Sequence, residues 1–180
     1  MGKRSLLINF TLFQLGWFAC VLGGAWDIPW IGPLAVAAIL AWHLLQADKP
    51  SHELKLIGIA VVLGTLWDSL LVVSGLLNYD SGMLVGFLAP YWIIAMWALF
   101  SSTLNVSLRW LKNRYTLAFL FGAIGGPLAY YAGFKLGAVD FSDMASALLA
   151  LAVGWALLMP LLMQLSNRYN GFAPAVRTEQ

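Results

Sequence analysis

The residue best suited to chemistry is Asp68, the only formal charge within an apolar stretch over residues 56–79. A helix of this length, rising about 1.5 Å per residue, is long enough to cross a bilayer. Asp68 would then lie near the middle of the hydrocarbon, where a carboxylate usually faces the protein interior or a water-filled cavity. We therefore interpret Asp68 as the centre of an intramembrane site. Gly64 and Gly75 share its helical face, and small residues there favour close helix packing.

Composition is typical of an integral membrane protein, because 61% of the 180 residues are hydrophobic and 10% are charged. Soluble domains carry roughly 25% charged residues. Cys20 is the only cysteine, which excludes an intramolecular disulfide and a cysteine-based metal cluster. With two histidines and no glycine-rich phosphate loop, the chain is predicted to hold no metal and to bind no nucleic acid. These features assign no catalytic residue and no cofactor.

The uncharged segments predict an all-α fold, in which residues 1–180 form a single transmembrane domain built as a six-helix bundle. The expected spans cover residues 5–25, 28–47, 56–79, 84–108, 115–134 and 144–167. Six spans place every lysine and arginine except Lys135 on one side, including Arg177 in the polar tail. Because cytoplasmic loops are enriched in these residues, we expect both termini in the cytoplasm. The tail itself, from Arg168 to Gln180, is expected to fray.

The fifth predicted helix carries a stripe of small residues. Gly122, Gly126 and Gly133 lie on one face, which should pack against another helix. Pro127 falls within the same stretch and frees a backbone carbonyl near mid-membrane. A kinked, tightly packed helix is one interpretation, and a broken helix that lines a cavity is the other.

Polar and aromatic side chains are expected to surround Asp68. Asn9 and Gln14 on the first helix and Tyr130 on the fifth are its candidate partners, although hydrogen bonding between helices is the simpler role for the two amides. Tryptophan usually prefers membrane interfaces, so several at mid-depth indicate an aromatic interior around a ligand or lipid chain. The alternative is that these rings fill space between glycine-lined helices. The mid-depth residues are Trp17, Trp67, Trp97 and Trp155.

A set of motifs extends along nearly the whole chain. They are Asn9…Gln14-x-x-Trp17-Phe-x-Cys20-Val-Leu-Gly23, Gly64-x-x-x-Asp68, Pro90-x-Trp92-Ile…Trp97…Phe100-x-x-Thr103-x-x-x-Ser107-Leu, and Gly122-Ala-x-Gly-Gly-Pro127-x-Ala-Tyr130. Together they resemble an uncharacterised family of small proteobacterial inner-membrane proteins, a domain of unknown function. The resemblance implies a multi-pass protein of the bacterial inner membrane, and it implies no activity.

Several functions remain open at this point. A binding protein or small transporter would use Asp68 for a cation or proton, but a transport path is expected to hold further ionisable groups. A membrane-embedded, lipid-modifying enzyme is expected to have a nucleophile, a second base or metal ligands. A non-catalytic assembly partner of a membrane enzyme needs none of these. The expected partners are the lipid bilayer and a lipid or small apolar ligand, and the sequence leaves the oligomeric state open.

Overall fold

The computed structural model describes residues 2–172, so Arg177 and the rest of the tail after residue 172 lie outside the described residues. Within this range the chain is all-helical apart from two very short strands, as the apolar segments predicted. The elements are α1 (Lys3–Ala25), α2 (Ile31–Leu45), α3 (Pro50–Val73), β1 (Leu77–Asn78), α4 (Tyr91–Leu104), a 3₁₀ turn (Arg109–Leu111), α5 (Tyr115–Lys135), β2 (Asp140–Phe141) and α6 (Met144–Arg168).

Four of these helices, α1, α3, α5 and α6, are long and apolar enough to cross a membrane. The other two, α2 and α4, are apolar but shorter. The outward faces of α1, α3, α5 and α6 carry many exposed leucine, valine and phenylalanine side chains, which water would solvate poorly. The chain is therefore a membrane protein with a bundle of six helices.

The third helix begins and ends earlier than the expected span over residues 56–79. Pro50 occupies the first turn of α3, where its missing N–H costs little, so the helix takes in the polar residues that follow. Gly75 has a φ of +71°, a left-handed conformation that favours glycine and follows many helix ends. The helix therefore stops at Val73, before the expected limit.

The fourth helix is shorter than the expected span over residues 84–108. It begins after Pro90 and is 14 residues long. Near its end, the hydroxyls of Ser101, Ser102 and Thr103 donate to backbone carbonyls three residues earlier, at 2.6–2.8 Å. Such local bonds compete with the regular helical ladder, and the chain leaves the helix at Asn105.

The helices pack as two groups. In one group α1 packs on α2, and α4 packs on α1, α2 and α3. In the other group α5 packs along α6, and α6 makes the principal contact with α3 and α4. α5 runs continuously through Pro127, so it is not a broken helix. Side chains of both groups meet at the boundary between them.

Contacts between helix ends distinguish the two ends of the bundle. At one end β1 and β2 pair antiparallel, with Leu77 opposite Phe141. At the other end Asn9, near the start of α1, donates to the backbone carbonyl of Ser102 near the end of α4, at 3.1 Å. We call the second the basic end. It carries Lys3, Arg4, Lys49, Lys55, Arg109, Lys112, Arg114 and Arg168.

Candidate functional site

Asp68 lies on α3 and is fully buried where the two groups of helices meet. The indole Nε1–H of Trp97 on α4 donates to Oδ2 of Asp68 at 2.5 Å. The hydroxyl of Tyr130 on α5 donates to Oδ1. One carboxylate therefore joins helices from both groups, and each of its oxygens has a donor. This arrangement provides the hydrogen bonds that a buried carboxylate requires.

The glycine one turn before Asp68 explains how Trp97 reaches the carboxylate. A Cβ atom at Gly64 would overlap the indole ring of Trp97, so only glycine leaves room for it. The same relation recurs in the other group of helices. A Cβ at Gly126 would overlap Trp155, and a Cβ at Gly154 would overlap Trp67. Each of these large rings thus lies against a glycine of a neighbouring helix, which is why tryptophan can occupy the bundle interior.

Two of these tryptophans stack across the boundary between the groups. The rings of Trp97 and Trp155 are 4.7 Å apart and nearly parallel, at 11°. The ring of Phe100 meets Trp155 edge-on at 5.2 Å. Offset stacks and edge-on contacts of this kind stabilise a pair by about 0.5–1.5 kcal/mol beyond area burial. The aromatic contacts therefore form one wall that both groups of helices share.

This wall lines a cavity of about 230 Å³ that is partly open to the outside of the bundle. Its lining is contributed by α1, α4, α5 and α6 and is almost entirely apolar. Thr103 and Ser107 lie toward the basic end of this lining, and Tyr130 supplies the hydroxyl that donates to Asp68. Asp68 itself does not line the cavity. It lies behind the wall and bonds to two of the wall's residues, Trp97 and Tyr130.

The structure brings some of the predicted site residues together and separates others. Trp17, Trp97 and Tyr130 line the cavity. Trp67 packs instead against Gly154. The remaining candidates lie on α1, away from the carboxylate.

Asn9 and Gln14 were candidate partners of Asp68, and that expectation is wrong for Asn9. Its amide bonds to the backbone at the basic end, where Oδ1 accepts from the Ser107 N–H at 3.3 Å and Nδ2 donates to Ser102. Gln14 is half-buried and is not part of the cavity lining. The simpler role for Asn9, hydrogen bonding between helices, is the one observed.

Some of the glycines predicted to pack against another helix do so, and others do not. Gly122 and Gly126 both lie tightly against α6, since a Cβ on either would overlap Trp155. Gly133 makes ordinary contact with Val139, which precedes β2, rather than with another helix. The assignment of Gly75 to helix packing is wrong, because Gly75 lies in the turn after α3 with nothing within 4 Å of its Cβ position. The positive φ of Gly75 explains why this position is a glycine.

A second buried carboxylate, Glu53, was not predicted from the sequence. It lies in the first turn of α3 and is fully buried. Its Oε2 is 2.9 Å from His43 Nε2 on α2. Its Oε1 accepts from the Asn105 side chain at 2.6 Å and from the backbone N–H of Gly171 at 2.7 Å. Glu53 therefore joins α2 and α3 to the ends of α4 and α6.

Lys112 supplies the nearby positive charge of this cluster. Its ammonium group donates to Asn105 Oδ1 at 2.5 Å and to the backbone carbonyl of Ser166 at 3.1 Å. Burial, followed by the neighbouring charge of Arg109, lowers the pKa of Lys112 to about 8, although Glu53 acts in the opposite direction. Asn105 thus links a buried anion to a half-buried cation.

The cluster also corrects the expectation for the chain after α6. The Gly171 N–H donates to Glu53, and the Gly171 carbonyl accepts from the Lys49 N–H at 3.1 Å. The ring of Phe172 lies 5.1 Å from that of His43. Residues 169–172 are therefore bound to the basic end rather than frayed. A sequence signal for the cluster existed only in part, because Pro50 marks a helix start that makes Glu53 a first-turn residue.

The described residues offer little to a metal ion. Within residues 2–172, no group of three or more histidine, cysteine, aspartate or glutamate side chains gathers closely enough to hold one. What the two clusters provide is hydrogen bonding. Asp68 orients two aromatic side chains of a cavity, and Glu53 orients His43 at the basic end.

The chain is thus a small helical membrane protein with a cavity walled by aromatic rings. Residues 6–161 match the family model described as protein of unknown function (DUF2878), and the chain belongs to this family. Membership of an uncharacterised family, which the motifs predicted, is thereby confirmed. No curated protein matches the chain. No solved structure matches it either.

Proposed function

We propose that this protein binds a lipid chain or another small apolar molecule in the aromatic cavity. The observation that carries the proposal is the lining, which is almost entirely apolar and aromatic yet has Tyr130 fixed by a buried carboxylate. Ligand sites commonly combine an apolar lining with a few polar groups that fix orientation. Asp68 then has a positioning role, since it holds Trp97 and Tyr130 in the cavity wall.

The size of the cavity favours part of a lipid over a whole lipid. Pockets for drug-sized ligands measure roughly 300–1,000 Å³, and this cavity measures about 230 Å³. A segment of an acyl or isoprenoid chain fits such a volume. Thr103 and Ser107 would then lie nearer to the polar part of the lipid at the basic end, while Tyr130 would meet the chain more deeply.

Gly125 permits a sharp test, because it lines the cavity and a Cβ there meets only Phe121, at 3.8 Å. Gly125→Leu should place its side chain in the cavity, since there is room for its Cβ atom. Native mass spectrometry of the detergent-purified protein should find a co-purified lipid or apolar molecule with the wild type and much less with Gly125→Leu. Gly58→Leu is the matched control, since Gly58 lies on the exposed face of α3 with nothing near its Cβ position.

The outcomes of this experiment separate binding from simple packing. Retention of the ligand by Gly58→Leu and its loss from Gly125→Leu support the proposal. Equal ligand content in all three proteins, or no ligand in the wild type after purification in several detergents, contradicts it. The thermal stability of each variant, measured alongside, establishes that a lost ligand reflects a filled cavity and not an unfolded protein.

The contact between Tyr130 and Asp68 also favours a second candidate, a lipid-modifying enzyme. A tyrosine hydroxyl on a cavity wall and a carboxylate behind it can together accept or donate a proton. In that case Asp68→Asn should fold normally and change the lipid composition of cells that depend on the protein. Unchanged lipids in such cells exclude the enzymatic role and leave binding intact. No contact within residues 2–172 favours a transport or assembly role over lipid binding or lipid modification.

We also infer that the protein lies in the bacterial inner membrane with six spans and both termini in the cytoplasm. The support is the distribution of charge, because Lys135 is the only lysine or arginine of the described residues outside the basic end. Reporter fusions at Tyr79 and at the C-terminus should report opposite sides of the membrane. The same side for both fusions would exclude this topology.

A further inference from the structure

A second cavity, of about 130 Å³, lies at the basic end between the start of α1 and the end of α2. Its lining differs from that of the aromatic cavity because polar side chains contribute a substantial part of it. Ser5, Asn9, His43 and Gln46 supply the polar groups, and Ile8, Leu12 and Ile39 supply an apolar side. This combination suits a ligand with a polar group at one end and a hydrocarbon part at the other.

His43 is the one buried polar residue of this lining, and Glu53 fixes its orientation. Nε2 of His43 is 2.9 Å from Oε2 of Glu53. Glu53 is held in turn by Asn105 and by the Gly171 backbone. The imidazole therefore cannot turn without breaking a buried contact, and Nδ1 is the ring nitrogen that Glu53 leaves for a ligand.

The basic end around the cavity carries more positive than negative groups, although Asp48 follows Gln46 by two residues and Glu53 contacts His43. Lys3 and Arg4 directly precede Ser5 at the start of α1, where the helix dipole also favours an anion. Lys49 is bonded through its backbone to Gly171, the neighbour of the lining residue Phe172. Basic pockets between transmembrane helices on the cytoplasmic side commonly bind anionic lipid head groups. The lining itself contains no carboxylate among the described residues.

We propose that this cavity binds the phosphate group of an anionic membrane lipid, with His43, Gln46 and Ser5 as its polar contacts. The hydrocarbon part of the lipid would lie along Ile8, Leu12 and Ile39. The site is separate from the aromatic cavity, because the two linings share no residue. The buried pair of His43 and Glu53 thereby has a use beyond holding the bundle together.

Gln46→Glu tests the proposal with little risk to folding, because Gln46 is exposed and the change only adds a negative charge beside the phosphate. Ser51→Glu is the matched control, since it adds the same charge to an exposed residue of the basic end outside the cavity lining. Binding to the purified full-length protein is measured by native mass spectrometry with three probes. These are phosphatidylglycerol, a diacylglycerol with the same chains, and inorganic phosphate.

The wild type should bind phosphatidylglycerol and not the diacylglycerol. Gln46→Glu should weaken the binding by about fivefold or more, as one unfavourable charge at a lipid head group does, and Ser51→Glu should leave it nearly unchanged. If inorganic phosphate at a similar concentration displaces phosphatidylglycerol, the ligand of this cavity is free phosphate and not a lipid head group. Equal binding of the diacylglycerol, or equal loss in both variants, would overturn the proposal.

Discussion

The role of Asp68 can be resolved by comparing two substitutions. They differ in whether the Trp97 N–H and the Tyr130 hydroxyl keep a hydrogen-bonding partner. Asp68→Leu removes both acceptor oxygens, so the Trp97 N–H and the Tyr130 hydroxyl lose their partner together. Asp68→Asn keeps the shape of the side chain. Its carbonyl can accept from Trp97, and its amide can donate to the hydroxyl of Tyr130, which then rotates.

The magnitudes follow from the number of contacts. Side-chain hydrogen bonds between membrane helices contribute about 0.6 kcal/mol on average and up to about 1.7 kcal/mol. Loss of two such bonds in Asp68→Leu should therefore cost about 1–3 kcal/mol, or roughly 2–12 °C in melting temperature for a chain of this size. Asp68→Asn should cost less than about 1 kcal/mol, since both contacts have a replacement.

Thermal unfolding in detergent measures this difference. Thr65→Val, on the same helix, is the matched control because the Thr65 hydroxyl is buried and has no hydrogen-bonding partner among the described residues. It should leave the melting temperature unchanged or raise it, because it removes a buried hydroxyl that has no partner. If Asp68→Leu is as stable as the wild type, the contacts contribute nothing to folding. If Asp68→Asn is as unstable as Asp68→Leu, the charge matters rather than the hydrogen bonds, and the positioning role is refuted.

Three further predictions concern packing and the cluster around Glu53. Gly126→Leu should cost about 1–3 kcal/mol because its side chain overlaps Trp155, and a melting temperature equal to that of Gly125→Leu would contradict this. Glu53→Leu leaves buried donors without an acceptor and should cost about 3–5 kcal/mol in chemical unfolding, while Glu53→Gln is tolerated; equal stability of the two would exclude the buried network. Because the folded protein lowers the pKa of Lys112 from 10.5 to about 8, the unfolded chain binds more protons between these pH values, so wild-type stability should rise with pH relative to Lys112→Met. Parallel pH profiles would contradict the buried ammonium.

The buried contact of Asp68 was largely predictable because its signals are local. One acid in an apolar stretch, with Gly64 one turn away, is sufficient to predict a buried contact with a neighbouring helix. Mid-depth tryptophans likewise predicted an aromatic interior. Which partners meet Asp68 depends on how the helices are arranged around one another, so the sequence offered Asn9, Gln14 and Tyr130 equally.

The basic end was much less predictable, for a different physical reason. Glu53 stands in a polar stretch that resembles an exposed loop, and His43 and Asn105 carry no mutual spacing pattern. Their burial depends on residues 169–172 folding back over the start of α3, which is a contact between distant parts of the chain. Of the features that form this cluster, only the helix start at Pro50 has a signal in the nearby sequence. The early end of α3 similarly depends on the conformation of Gly75.

Photo-crosslinking can show whether the aromatic cavity holds a lipid chain. A phospholipid with a diazirine on its acyl chain is added to the protein in membranes, and the labelled residues are identified by peptide mass spectrometry. Residues that line the cavity on α1 and α5, including Phe13 and Tyr130, should be labelled, and Gly125→Leu should remove this labelling. Labelling confined to outward residues such as Leu34, Val62 and Leu66, unchanged by Gly125→Leu, would contradict the binding of a lipid chain in this cavity.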